Sequence, residues 1–300
     1  MIIYGAGIAG LLAGCTFQTA TIFEAGTENN AEHKALLRFR STKVADAVGI
    51  DFRRVRVHKG IWDANGKFVE PNIFLSNIYS QKVIGRLADR SIWNLEPVDR
   101  FIAPEDFIHQ LAERCRGRIR WNTPVDSAMV LQNNVDGVPA ISTLPMPLMA
   151  RLVGRDDAPV FTSAGITVKR WRVPNADVFQ TVYFTDMGTN LYRASITGDL
   201  LIAEYAGKAD DYPLWEPFGL DENDLVPIET TSQRFGKIAP IDSAWRKQFI
   251  FSLTTNHNIF SLGRFGTWRN LLLDDVIDDV NVIKKLMNAS GYERNRHNMK

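Results

Sequence analysis

Three glycines, Gly5, Gly7 and Gly10, follow the short apolar run Met1-Ile2-Ile3-Tyr4, and an acidic side chain, Glu24, closes the next one, Thr21-Ile22-Phe23. Glycines at this spacing build a phosphate cradle when a strand precedes them and a helix follows. Gly5 permits the tight turn out of the strand. Gly7 lets a pyrophosphate approach the main chain, and Gly10 lets the helix lie close on the sheet. The first N–H groups of that helix, at Ile8, Ala9 and Gly10, then meet the diphosphate with the positive dipole end behind them. Glu24, with Ala25 after it, stands where a carboxylate accepts hydrogen bonds from an adenosine ribose. NAD(P) and FAD sites share this geometry, so the fingerprint implies a dinucleotide and leaves its identity open.

Other residues able to do chemistry are scattered. Between positions 34 and 59 lie eight cations, Lys34, Arg38, Arg40, Lys43, Arg53, Arg54, Arg56 and Lys59. Such a run is usually a solvated face. Its functional reading brings Arg38 or Arg40 back to the cofactor diphosphate, which a planar guanidinium suits. Thr143, Leu144 and Pro145 end an apolar run and place small residues and a rigid turn beside a cofactor crevice. Substrate-side candidates are Arg172, Tyr183, Tyr192, Arg193, His257, Trp268 and Arg269. For Tyr183 and Tyr192, which sit in strand-like runs, a core role competes. His257 falls in a polar stretch just before the apolar run Ile259-Phe260-Ser261, and Trp268 and Arg269 follow Gly263-Arg264-Phe265-Gly266. No Ser/His/Asp triad, P-loop or metal-ligand spacing competes with the dinucleotide reading.

These residues need a scaffold. Positions 1–24 read as strand, helix, strand. The stretch 104–115, with a proline and two acids in its first turn, reads as a helix, and 118–122 as a return to the same sheet. Alternating aromatic and β-branched runs between 159 and 229 read as an antiparallel sheet. Asp63-Ala-Asn-Gly66 marks a hairpin, and 274–286, acids first and lysines last, a late helix. The fold class that follows is α/β: a discontinuous Rossmann-like nucleotide domain (1–58, 100–150 and 236–290), an antiparallel β-sheet substrate domain (59–99 and 151–235) and a flexible tail (291–300).

The 300 residues are 45% apolar and 10% aromatic, ample for a packed core, and the formal charge is +1. Near-neutrality argues against electrostatics as the main attraction to nucleic acid or an acidic surface. Two cysteines suggest no disulfide framework and no zinc cluster. With the first strand beginning at Met1 and no run approaching about eighteen apolar residues, the expectation is a soluble, cytoplasmic chain without a membrane segment.

Three separated stretches together resemble the FAD-binding amine-oxidase-like superfamily, and within it proteins similar to UDP-galactopyranose mutase. They are Ile2-Ile-Tyr-Gly-Ala-Gly-Ile-Ala-Gly10 with Phe23-Glu24, Ile141-Ser-Thr-Leu-Pro145, and Ser261-Leu-Gly-Arg-Phe-Gly266 followed by Leu273-Asp-Asp-Val276. Tyr192-Arg-Ala-Ser-Ile-Thr-Gly198 with Glu204 is similar to that family's β-sheet segment. Gly26-Thr-Glu-Asn-Asn30 stands where the family usually has a glycine pair. The resemblance implies FAD as cofactor. It implies that Gly263 gives close backbone approach, that Arg264 pairs with the diphosphate, and that Asp274 or Asp275 caps the last helix or bonds the ribityl chain. The activity it implies is an FAD-dependent oxidoreductase on an amine or related small substrate, with hydride transfer to flavin N5. An alternative is a non-redox mutase or lyase acting on a sugar nucleotide or other nucleotide-linked substrate. A further one, a flavoprotein modifying a nucleic-acid base, would use 34–59 and Lys169-Arg-Trp-Arg172 as basic patches.

Overall fold

The computed structural model describes residues 1–28, 37–88 and 91–289; Lys34 and the expected tail at 291–300 lie outside them. The chain opens with β1 (Ile2–Tyr4), α1 (Ile8–Thr16) and β2 (Thr21–Phe23). There follow β3 (Arg38–Phe39), α2 (Lys43–Val48), β4 (Arg53–Trp62), β5 (Phe68–Val69), α3 (Ile73–Ile84) and β6 (Val98–Ile102). The chain then returns through α4 (Phe107–Arg114), β7 (Ile119–Arg120), α5 (Ser127–Val135), β8 (Ala140–Ser142) and α6 (Met146–Leu152). A long β stretch comes next: β9 (Ser163–Arg172), β10 (Val178–Phe184), β11 (Leu191–Gly198), β12 (Leu200–Ala206) and β13 (Val226–Ile238). The chain closes with α7 (Ser243–His257), β14 (Ile259–Ser261), α8 (Gly263–Gly266) and α9 (Leu273–Asn288).

Among the described residues these strands form two sheets. The smaller has the order β14-β8-β1-β2-β7, and every pairing in it is parallel. Its central strands, Ile2-Ile3-Tyr4 and Ala140-Ile141-Ser142, are covered on both faces, as short continuous apolar runs require. One face packs Leu11, Leu12, Phe107, Leu111, Val276 and Val280. The other packs Met146, Phe249, Leu253 and Trp268 against Tyr4.

The larger sheet runs β13-β9-β12-β11-β10-β4-β6-β3, with β5 paired to β4. Its pairings are antiparallel except that of β10 with β4. One face buries Phe184, Ile196, Leu201 and Tyr205 beneath Leu214 and Leu225. The other buries Ile61, Tyr183, Tyr192 and Ile202 beneath Tyr79 and Val83 of α3. The expected cuts at 58/59, 99/100 and 235/236 fall inside β4, β6 and β13, so single strands run from one expected unit into the other. No described helix is long and apolar enough to cross a membrane.

Candidate cofactor and substrate site

The parallel pairings bring three distant stretches level. Tyr4 lies opposite Ser142, and Ser142 opposite Ser261, so Gly5, Thr143 and Gly263 emerge from the carboxyl edge of the same sheet. Gly5 turns at φ +97°, a conformation open mainly to glycine. Thr143 Oγ1 donates to the Tyr4 carbonyl at 2.9 Å, which fastens the 143–145 turn to the glycine loop. Pro145, at φ −53°, starts α6, and Leu144 comes within 3.8 Å of the Cβ position at Gly5. A Cβ on Gly10 would lie 1.9 Å from the Gly5 carbonyl oxygen, so helix and strand close directly on each other. At Gly7, by contrast, a Cβ would meet nothing within 4 Å. The cradle is shut on its inner side and open on its outer side.

The late segment reaches this glycine loop. Gly263 adopts φ +78°, and a Cβ there would come within 2.8 Å of the Ala9 Cβ on α1. Gly266 sits against the Ser142 carbonyl, where a Cβ would be 2.8 Å away. Ile8 and Ala9 open α1 next to this contact, and no side chain caps that helix end. Glu24 accepts the Ala6 N–H at 2.6 Å through one carboxylate oxygen and the Gly26 N–H at 2.8 Å through the other. Each oxygen keeps lone-pair capacity for a ribose hydroxyl. Ala25 follows, exposed.

Several expected roles are corrected. Arg38 does not return to the helix end. Its guanidinium lies on the large sheet, where Nε and Nη2 donate to Thr197 Oγ1, Nη1 to Thr181 Oγ1, and Nη2 also to the carbonyls of Gln180 and Ile196. Asp274 does not cap α9. Its carboxylate accepts the N–H groups of Arg40 and Ser41 and the Ser41 hydroxyl, clasping that loop to the start of α9. Asp275 does cap, taking the Leu272 N–H at 2.8 Å. Arg264 Nη2 donates to the Gly236 carbonyl at 3.0 Å, while its buried Nε–H finds no acceptor among the described residues. The Arg40 side chain is exposed and stands near Arg100.

The substrate-side candidates divide. His257 is the last residue of α7 and precedes β14, which puts it at the amino edge of the parallel sheet, one strand length from the crevice. Three strand residues span about 10 Å. Trp268, in a left-handed turn at φ +47°, is 3% exposed. Its indole N–H donates to the Ala239 carbonyl at 2.9 Å and its ring meets Phe161 edge-on, so it is a core residue and not a wall of the crevice. Arg269 is ion-paired with Asp279 on α9. Arg172 pairs with Glu105 and Asp199.

Tyr183, Tyr192 and Arg193 do gather on one face of the large sheet. Tyr183 pairs with Arg193, and Arg193 with Glu204, across adjacent strands. A bulge between Leu191 and Arg193 re-aims the intervening Tyr192. The Tyr79 ring meets Tyr183 and Tyr192 at 5.4 and 6.4 Å, both edge-on, so each tyrosine is also a core residue. Burial, followed by the Glu204 charge, raises the Tyr192 hydroxyl well above its usual range. Sequence reasoning missed two cations here, Arg100 and Lys237, and a buried one on α3, Lys82. The Lys237 ammonium lies 5.0 Å from the Tyr192 ring centroid. The Val98/Arg100/Ile102 alternation was a strand signal that pointed to Arg100; Lys82 and Lys237 had no local signature.

Lys82 gives a pH prediction. Its ammonium donates to the carbonyls of Phe184 (3.2 Å) and Asp186 (2.6 Å), and burial pulls its pKa from 10.5 to about 8 despite Asp186 and Asp210. Between those values the unfolded chain binds the proton and the folded chain does not, so stability rises with pH. Urea unfolding from pH 8 to pH 10 should show a gain on the order of 2 kcal/mol in the native protein relative to Lys82→Met. Parallel pH profiles would refute it.

The basic stretch is largely neutralised. Lys43 pairs with Asp278, Arg53 with Asp177, and Arg54 and Arg56 share Asp99. Lys169 and Arg170 pair with Asp211 and Glu229.

No protein-family model matches the chain, and no curated protein matches it. Solved structures do share its architecture. A protein from Pyrococcus furiosus aligns over 97% of this chain and 99% of its own, with a TM-score of 0.55 at 12% identity. An oxidoreductase from Methanosarcina mazei covers 95% of this chain and 99% of its own, at a TM-score of 0.55 and 10% identity. A putrescine oxidase variant from a redesign of cofactor binding covers 96% and 98%, at a TM-score of 0.53 and 11% identity. What the likeness establishes is the fold, a Rossmann-type parallel sheet joined to a second, mostly antiparallel sheet over nearly the whole chain.

Proposed function

We propose that the chain is an FAD-dependent oxidoreductase acting on a small substrate held between the two sheets. The observation that carries this reading is the meeting of Gly263 with Ala9. A mononucleotide-binding turn needs only the strand, the glycine loop and α1. Here a segment some 250 residues later is folded, at positive φ, onto the first turn of the same helix. That arrangement suits a dinucleotide reaching along the edge of the sheet.

The residues present fit that cofactor. The open side of Gly7, with the first N–H groups of α1, takes the diphosphate. Glu24 takes a ribose, and the Arg264 Nε–H offers an unused donor. FAD, once bound, supplies a two-electron acceptor for a hydride. The chain's own part is to hold the substrate against the Tyr183–Tyr192 face and to exclude water from it. An amine, the substrate class expected from the resemblance, would react in its neutral form. Glu204, the carboxylate on this face, is held by Arg193.

The test is the absorption spectrum of the purified protein, with and without added FAD. Flavin bands that persist through gel filtration, and that bleach when a substrate is added anaerobically, support the reading. A colourless protein that takes up no FAD overturns it. The non-redox alternative separates by stoichiometry: substrate turnover with no acceptor reduced would favour a mutase- or lyase-type reaction.

A further inference from the structure

We propose that the substrate carries an oxyanion, a carboxylate or a phosphate, and that Arg38, Arg100 and Arg193, on the face of the large sheet that carries Tyr183 and Tyr192, receive it. This rests on the flavoenzyme reading and names the substrate class for the same site. Strand register puts the guanidinium groups together. Arg38 pairs with Ile102, two residues beyond Arg100, so those two share a face. Arg193, Ser195 and Thr197 alternate along β11, and the Arg38 guanidinium reaches across to Thr197 and to Thr181, the partner of Ser195. Arg38 and Arg193 thus lie on one surface.

Among the described residues no carboxylate pairs with Arg38 or Arg100. Every acceptor around Arg38 is neutral: two threonine hydroxyls and two carbonyls. Burial first, then Arg193 and Arg100, pulls its pKa down to about 9. Arg100 is lowered as well, by burial and by Arg40. Among the described residues that act on this group, the carboxylates are Glu204 and Asp274. Glu204 is bound by Arg193, and Asp274 by the Arg40–Ser41 loop. A buried cation solvated only by dipoles is costly, and an arriving oxyanion offsets that cost. Arg193 keeps 33% of its side-chain surface accessible, so its outer edge is open to a ligand. The buried Tyr183 and Tyr192 back these cations, with the Lys237 ammonium 5.0 Å from the Tyr192 ring centroid. The same field repels a protonated amine.

The cofactor diphosphate is a different anion in a different place. It belongs at the open side of Gly7, whereas Arg38 is fixed to β10 and β11 by its hydrogen bonds.

The experiment titrates FAD-loaded protein with malonate, inorganic phosphate and ethylammonium at constant ionic strength, reading the visible flavin spectrum and the melting temperature. Malonate or phosphate should saturate, and ethylammonium should not; whichever anion binds more tightly identifies the headgroup. Arg100→Gln should weaken the anion about fivefold and Glu204→Gln should tighten it about as much, each changing one charge beside the site. A merely structural Glu204 would not produce tighter binding on substitution. Ethylammonium binding above either anion, or affinities unmoved by both substitutions, would overturn the proposal. If no FAD is retained, the melting-temperature titration is run on the apoprotein. Anion binding that responds to Arg100→Gln then upholds the anion site while the flavin reading falls. Displacement of the anion by FAD would assign it to the diphosphate cradle and end the proposal.

Discussion

Gly7→Ala is expected to fold as well as the native protein and to lose flavin, while Gly10→Ala loses both. The two glycines are three residues apart, one at the N-cap and one in the first turn of α1, yet the space around them is opposite. A methyl on Gly10 would sit 1.9 Å from the Gly5 carbonyl oxygen and 3.0 Å from its carbon, both main-chain atoms that cannot rotate away. Relief requires α1 to lift from β1, against Leu11, Leu12 and Ala13, all fully buried. Overpacking of this kind costs about 3 kcal/mol or more. A methyl on Gly7 meets nothing within 4 Å, and its φ of −63° with ψ of 173° suits alanine. Its stability should therefore change by less than about 0.5 kcal/mol. What the Gly7 methyl does fill is the space assigned to the diphosphate, so FAD affinity should fall about tenfold or more, equivalent to ~1.4 kcal/mol. Chemical denaturation and flavin retention on the same two variants separate the effects. Gly7→Ala that retains FAD with native affinity would remove the diphosphate from this loop.

That contrast also shows what the sequence made legible. The glycine loop, α1 and Glu24 all lie within the first 24 residues, so their juxtaposition follows from local spacing, and the Glu24 carboxylate accepts the Ala6 N–H. The parallel strands around Ile141 and Phe260 were readable as short apolar runs, and Gly263 was expected at the cradle. Arg38 was not legible, because the groups it binds, at 180, 181, 196 and 197, lie about 140 to 160 residues away and have no local signature. His257 was misplaced for a simpler reason. A residue just before a parallel strand lies at its amino edge, and proximity in sequence to Gly263 conceals a whole strand between them. Trp268 failed through direction: its left-handed turn points the indole inward to Ala239 and Phe161, which neighbouring residue types did not foretell. Asp274 looked like a helix cap by position, and Asp275 performs that function one residue later.

Arg193→Met is expected to destabilise the protein by about 3–5 kcal/mol near neutral pH, because it strands a buried carboxylate. Glu204 is 5% exposed, whereas its partner keeps a third of its side chain accessible, so the pair is asymmetric. Burial pushes the Glu204 carboxyl up, and Arg193, aided by Lys237 and the Tyr192 hydroxyl, brings it below its ordinary value. With a depressed folded pKa, the native pair contributes stability above the unfolded carboxyl's pKa, and that contribution is lost as pH falls through the folded value. Without Arg193, burial dominates and Glu204 takes up a proton at higher pH. The gap between native protein and variant should then be widest near pH 7 and narrow toward pH 4, whereas a packing defect would give a gap independent of pH. Glu204→Gln should cost less, since the arginine it leaves behind faces accessible space. The double variant Arg193→Met/Glu204→Gln should recover most of the loss, since both buried charges are gone. A gap of equal size at pH 4 and pH 7, or a double variant no more stable than Arg193→Met, would show that the methionine's shape and not the stranded charge sets the cost.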